Sequence, residues 1–125
     1  MQQRVLILDD NDDILWPCKI ILQKAGYAVE TRTDCLQIVQ VVRDLKPDII
    51  LLDLKIPPSG GDVALLHLKN DSATSKISVM LFSAADNLSS IAKHSLADGF
   101  IQKPFDIDTL LKTVGEKLQF QSNRC

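Results

Sequence analysis

The chain has 125 residues, 46% of them hydrophobic and 24% charged, and a net charge of −2. That length suits one domain with its own core and is short for two, and the composition is that of an ordinary globular protein. The charge balance gives no basic footprint for nucleic acid, and no apolar run approaches the roughly 20 residues of a membrane span. No basic-then-apolar leader precedes the first strand, so a cytoplasmic protein with no direct nucleic-acid or membrane contact is expected. The three cysteines, Cys18, Cys35 and Cys125, form no CxxC or Cys/His cluster. That spacing argues against zinc and fits a reducing compartment.

The apolar run Val5-Leu6-Ile7-Leu8 predicts a first strand over 4–8, which ends at Asp9-Asp10. A helix is predicted over 12–25, with Ile14, Cys18, Ile21, Leu22 and Ala25 on one face and Gly26 as its stop. Cys18 reads there as a small buried hydrophobe. Pro17 is tolerable at a helix start and disruptive beyond the first turn. A mixed strand over 28–32 and a helix over 34–45 follow, closed by Pro47. Ile49-Ile50-Leu51-Leu52 lies in a third strand over 48–53, which ends at Asp53. Gly60-Gly61 makes a turn into a helix over 61–70. A fourth strand over 77–82 ends at Ser83, followed by a helix over 86–97 bearing Leu88, Ile91, Ala92, Ser95 and Leu96. A fifth strand over 99–102 ends at Lys103. The last helix, over 106–120, repeats Ile107, Leu110, Leu111, Val114 and Leu118 at helical spacing, and 121–125 reads as a tail in which Cys125 is an exposed thiol. His67 and His94 fall on exposed helix positions.

Strand and helix alternate throughout with short connections, so the sheet is expected to be parallel with right-handed crossovers. Strands one, three and four are continuous apolar runs, as central strands buried on both faces should be, whereas two and five are mixed like edges. The order 2-1-3-4-5 satisfies this: an α/β, flavodoxin-like (βα)5 doubly wound five-stranded parallel sheet. Strands one and three then meet at the switch point, where ligands bind outside the carboxyl ends.

Asp9, Asp10, Asp53, Ser83 and Lys103 therefore converge on one edge of the sheet. Clustered carboxylates raise one another's pKa unless a cation neutralises them. With only oxygen donors on offer, magnesium, or manganese, is favoured over zinc. One carboxylate can then attack phosphorus, and phosphoryl transfer asks mainly for in-line placement and charge neutralisation. Lys103 suits one phosphoryl oxygen as a point charge, and Ser83 with the backbone amides of 54–57 suits the others. Taken singly, each residue has an ordinary reading as well. Asp9 and Asp10 could start a helix (Asp12 and Asp13 suit that role better), Asp53 could be a solvated strand-end acid, Ser83 an N-cap and Phe100 core.

The set Asp9-Asp10, Asp53 within Leu52-Asp53-Leu54-Lys55-Ile56-Pro57, Gly61, Ser83-Ala84 and Lys103-Pro104-Phe105 resembles the response-regulator receiver domains of the CheY-like family, over essentially the whole chain. The resemblance implies that Asp53 accepts a phosphoryl group from the phosphohistidine of a histidine kinase or phosphotransfer protein. It implies that Asp10, Asp53 and the Lys55 carbonyl bind Mg2+, with Asp9 helping through water. It also implies that Lys103 contacts the phosphoryl group, that Ser83 moves toward it while Phe100 turns inward, and that the Lys103–Pro104 bond is often cis. Output or dimerisation is implied through helix 4, strand 5 and helix 5. The partner would be a separate output protein, or an output domain if this receiver belongs to a longer regulator or hybrid kinase. Such a chain modifies itself and is not an enzyme in the usual sense.

Lys55 and Ala85 stand where fast self-dephosphorylating members carry amide or acidic side chains, which implies slow loss of the phosphoryl group. Two other classes compete. A haloacid-dehalogenase-type phosphatase finds a superficial Asp-x-Asp in Asp10-Asn11-Asp12, but lacks its following Thr or Val and room for a cap domain. A receiver-like scaffold that binds partners without phosphorylation would not need the full acidic and basic set.

Overall fold

A computed structural model describes residues 2–122, with side-chain surroundings for residues 2–118. Five strands and five helices alternate: β1 (Arg4–Leu8), α1 (Asp12–Lys24), β2 (Ala28–Arg32), α2 (Ile38–Leu45), β3 (Ile49–Leu52), α3 (Gly61–Asn70), β4 (Ser78–Ser83), α4 (Leu88–Lys93), β5 (Gly99–Gln102) and α5 (Ile107–Ser122). All strand pairs are parallel, in the order β2-β1-β3-β4-β5, as the sequence predicts.

The apolar runs decide this order. Every residue of β3 and all but the first of β1 are fully buried, because helices cover both faces of the sheet. Alternation along the strands divides the core in two. Leu6, Leu8, Ile50, Leu52, Val79 and Leu81 face α2, α3 and α4. Val5, Ile7, Ile49, Leu51, Met80, Phe82 and Ile101 face α1 and α5. Each fully buried Leu or Ile contributes roughly 1.5–3 kcal/mol, so these strands can hold an unfavourable cluster of acids at their ends.

Helix boundaries differ from the sequence reading where capping overrides apolar spacing. In α1, Asn11 accepts from the Asp13 amide at 2.9 Å as the N-cap, and Asp12 and Asp13 occupy the favourable first turn. The helix runs unbroken through Pro17, with Leu15, Cys18 and Leu22 buried. α2 begins at Ile38 rather than residue 34, because the Asp34 carboxylate takes the Leu36 amide in a local turn. The largest departure is α4, only six residues long. Ser95 turns its hydroxyl back to the Ala92 carbonyl at 3.0 Å, and Leu96, expected on the buried face, is 52% exposed. α5 extends to Ser122, and 123–125, with the thiol expected at Cys125, lie outside the described residues.

Cys18 is buried as expected, and burial pushes its thiol up to about 11. Lys103–Pro104 is cis, and so is Pro57–Pro58. His67 and His94 are exposed.

Candidate functional site

Register brings the polar residues together. Leu8 pairs with Leu52, so the acids that follow, Asp9 and Asp53, leave the sheet side by side. The Asp53 amide donates to the Leu8 carbonyl at 2.9 Å, and the Asp9 amide to the Arg32 carbonyl at 3.1 Å. Across the sheet, Ser83 pairs with Gln102, and the Lys103 amide donates to the Ser83 carbonyl at 2.8 Å. Period-two alternation aims Asp9, Asp53 and Lys103 to the side of the sheet that carries Ile7, Leu51, Phe82 and Ile101.

The Lys103 ammonium donates to Asp9 Oδ2 and lies 3.9 Å from Asp53 Oδ1. Its path is fixed from below by the Phe82 ring, whose centroid is 4.6 Å from Nζ. Phe82 in turn packs on Phe105 at 5.2 Å between centroids. A cation over an aromatic face gains from the ring quadrupole, more so when desolvated. The sequence reading found Lys103 but not this aromatic seat. Phe82 reads as plain core until the β4–β5 register places it under the lysine.

Asp9 and Asp53 are 1% and 6% exposed, whereas Asp10 is exposed at the rim. Asp9 also accepts from the Asn11 amide at 3.0 Å, which closes a turn into α1. The Asp53 carboxyl is raised above its ordinary pKa. Burial is the largest cause, and the neighbouring Asp9 and Asp10 charges add to it; Lys103 and a hydrogen bond from the Lys55 amide oppose it. Gly61 closes the site from beneath. A Cβ there would collide with the Asp53 carbonyl and lie 2.9 Å from Leu54 Cα, so the start of α3 approaches β3 only because this residue is glycine.

One carboxylate oxygen from each of Asp9, Asp10 and Asp53 lies within 4.8 Å of the others, the one such metal-ligand cluster among the described residues. The donor set is all oxygen, two acids buried and one open to solvent. That fits a hard divalent cation which keeps part of its water shell. The residues present therefore suit magnesium.

Ser83, 2% exposed, does not point at these acids. Its hydroxyl accepts from the Ala85 amide at 3.3 Å. Phe100 is 40% exposed on the α4–β5 side. Lys55, two residues after Asp53, is exposed, and Ala85, two residues after Ser83, is half-buried. Within the Asp10-Asn11-Asp12 triplet, Asn11 caps α1 and Asp12 lies in its first turn.

The fold and the acid–lysine cluster define a receiver, and the comparisons agree. The family model for the response regulator receiver domain matches residues 5–115, and the chain belongs to that family. The DNA-binding dual master transcriptional regulator RpaA of Synechocystis is 33% identical over 113 residues, covering 89% of this chain and 47% of RpaA. The DNA-binding response regulator MtrA of Mycobacterium tuberculosis is 32% identical, covering 95% of this chain and 52% of MtrA. The chain thus spans about half the length of these curated relatives. It matches nearly all of protein PilH of Pseudomonas aeruginosa, at 32% identity over 92% of this chain and 97% of PilH. Among solved structures, the CheY-like response regulator receiver domain protein of Methanospirillum hungatei covers 100% of both chains with a TM-score of 0.88 at 25% identity. As a receiver domain of response regulators, the chain works in two-component signalling, where receivers of this family interact with histidine kinases and output domains. No helix among the described residues is long and apolar enough to cross a membrane.

Proposed function

We propose that this chain is a phosphorylation-controlled switch in which Asp53 is the acceptor. The observation that carries this reading is the Lys103 ammonium set between the buried Asp9 and Asp53 carboxylates at the ends of three strands. An Asp53 carboxylate oxygen forms the new O–P bond as the P–N bond of a phosphohistidine breaks, and the electron pair stays on the imidazole nitrogen. Lys103 lies 3.9 Å from Asp53 and is placed to take a phosphoryl oxygen. The Lys55 amide already donates to the Asp53 carboxyl and can hold a second oxygen. Asp10, Asp53 and the Lys55 carbonyl would hold Mg2+ (Mn2+ is the other hard candidate), with Asp9 acting through water. A metal there neutralises the carboxylates and the charge on the phosphoryl oxygens.

The partners are a histidine kinase or phosphotransfer protein upstream and an output protein or domain downstream. Ser83 would turn from the Ala85 amide toward the phosphoryl group as Phe100 turns inward, which alters the α4–β5–α5 face. That face is also the candidate for dimerisation. The chain would work in the cytoplasm without touching nucleic acid itself, and its aspartyl chemistry acts on itself rather than on a turned-over substrate.

Incubation with acetyl phosphate is expected to add one phosphoryl group to the intact mass, and only when Mg2+ is present. No adduct under any condition would instead support a scaffold that binds partners unphosphorylated. The adduct should also be long-lived. Neither the Lys55 cation nor the Ala85 methyl can accept a hydrogen bond or a proton from an attacking water. Lys55→Asn with Ala85→Glu is expected to shorten its half-life at least about tenfold, below the usual range for a positioned general base. A half-life unchanged by both substitutions would contradict that role for the two positions.

A further inference from the structure

Gln102 ends β5 as the cross-strand partner of Ser83. Alternation puts it on the same side of the sheet as Phe100 and, across the ladder, as Ser83 and Leu81. Its side-chain amide nitrogen lies 3.0 Å from the Ala85 carbonyl, 3.3 Å from the Lys103 carbonyl and 3.4 Å from the Ser83 carbonyl. The Ser83 and Ala85 carbonyls bracket the turn that leads from β4 toward α4. Inside that turn the Ala85 amide donates to the Ser83 hydroxyl at 3.3 Å, so the hydroxyl is engaged away from the acids. The Ala85 carbonyl also accepts from the Leu88 amide at 3.3 Å, which ties the same point to the first turn of α4. The Ser83 main chain is already fixed by its ladder bond to the Lys103 amide. Among the described residues, the side chain of β5 that hydrogen-bonds to this turn is Gln102.

We propose that Gln102 is a positioning residue whose amide latches the β4–α4 turn in the arrangement that keeps the Ser83 hydroxyl on the Ala85 amide. It thereby sets how readily Ser83 reaches the phosphoryl group. The proposal rests on the phosphoacceptor reading above and adds to it a residue that touches neither metal nor phosphoryl group. A hydrogen bond stabilises the state in which it forms, so removing the donor raises the population of the alternative turn. A ligand that binds the alternative turn then binds more tightly. Gln102 is exposed, so apolar replacements of similar length should not disturb the core.

The test is calorimetric titration of the full chain with beryllofluoride, a phosphoryl mimic, in the presence of Mg2+. Gln102→Leu and Gln102→Met are each expected to bind it roughly three- to tenfold more tightly than wild type. Hydrogen exchange at the Ala85 amide is expected to quicken in the same variants without beryllofluoride. In a Ser83→Ala background, Gln102→Leu is expected to change affinity by less than about twofold, because the latch acts through the Ser83 hydroxyl. Wild-type affinity in both Gln102 variants, unchanged Ala85 exchange, or the full gain persisting in Ser83→Ala would each overturn the latch. Failure of wild type itself to bind beryllofluoride would overturn the phosphoacceptor reading, and the latch with it.

Discussion

Gly61→Ala is expected to destabilise the chain by about 3 kcal/mol, the upper end of the usual cost of overpacking. At about 4 °C per kcal/mol for a domain of this size, the melting temperature falls by roughly 12 °C. The added methyl would meet the Asp53 carbonyl and the Leu54 Cα, both backbone atoms that cannot swing aside as a side chain can. The Gly61 amide also donates to the Leu54 carbonyl at 2.9 Å, so α3 and the end of β3 cannot separate without losing that bond. Relief comes only by displacing the strand end that carries Asp53, and the variant should take up phosphoryl groups more slowly as well as melt earlier. Thermal unfolding followed by circular dichroism checks this directly. A melting temperature within about 2 °C of wild type would mean that the close approach is not what holds β3 against α3.

Lys103→Met should have the second large effect, on chemistry and stability together. The methionine keeps an apolar stem over the Phe82 ring but removes the cation between Asp9 and Asp53. Breaking a buried ion pair from one side costs about 3 kcal/mol or more, because the remaining charge stays desolvated. The pH dependence has a definite sign. Burial and the neighbouring acids already raise the Asp53 pKa, and loss of Lys103 removes the main opposing influence. A carboxyl with a raised folded pKa favours folding when protonated, and that advantage disappears as pH rises through the folded value. The variant should therefore lie furthest below wild type at neutral pH and approach it on acidification. Added Mg2+ should raise its melting temperature more than that of wild type, since among the described residues Lys103 supplies the ion pairs to Asp9 and Asp53. Phosphoryl uptake from acetyl phosphate should fall about 100-fold, the usual cost of losing one group that stabilises a developing charge. A melting-temperature deficit relative to wild type that does not shrink on acidification would show that Lys103 does not neutralise the pair.

The sheet order and the polar cluster were legible because both follow from strand composition. Continuous apolar runs mark β1, β3 and β4 as central, and an acid, hydroxyl or amine directly after a run must lie at the sheet's carboxyl edge. Helix extents were less legible where serine and aspartate compete with the helix for backbone groups. Ser95 ends the apolar pattern of α4 early, and Asp34 delays α2. Gly61 was legible as a family position and as a turn. Its reason, a backbone approach to Asp53 that leaves no room for a Cβ, is a tertiary fact. Phe82 beneath Lys103 and the Gln102 amide on the 83–85 turn were hidden for the same reason. Each depends on the β4–β5 register, which no local pattern in the sequence specifies.

The identity of the acceptor is tested most directly by locating the modification. The chain would be treated with acetyl phosphate and Mg2+, reduced with borohydride to convert an acyl phosphate into homoserine, and mapped by peptide mass spectrometry. Conversion is expected at residue 53 alone, absent without Mg2+ and absent in Asp53→Asn. Modification at Asp9, Asp10 or Ser83, or undiminished modification in Asp53→Asn, would contradict the role given to Asp53.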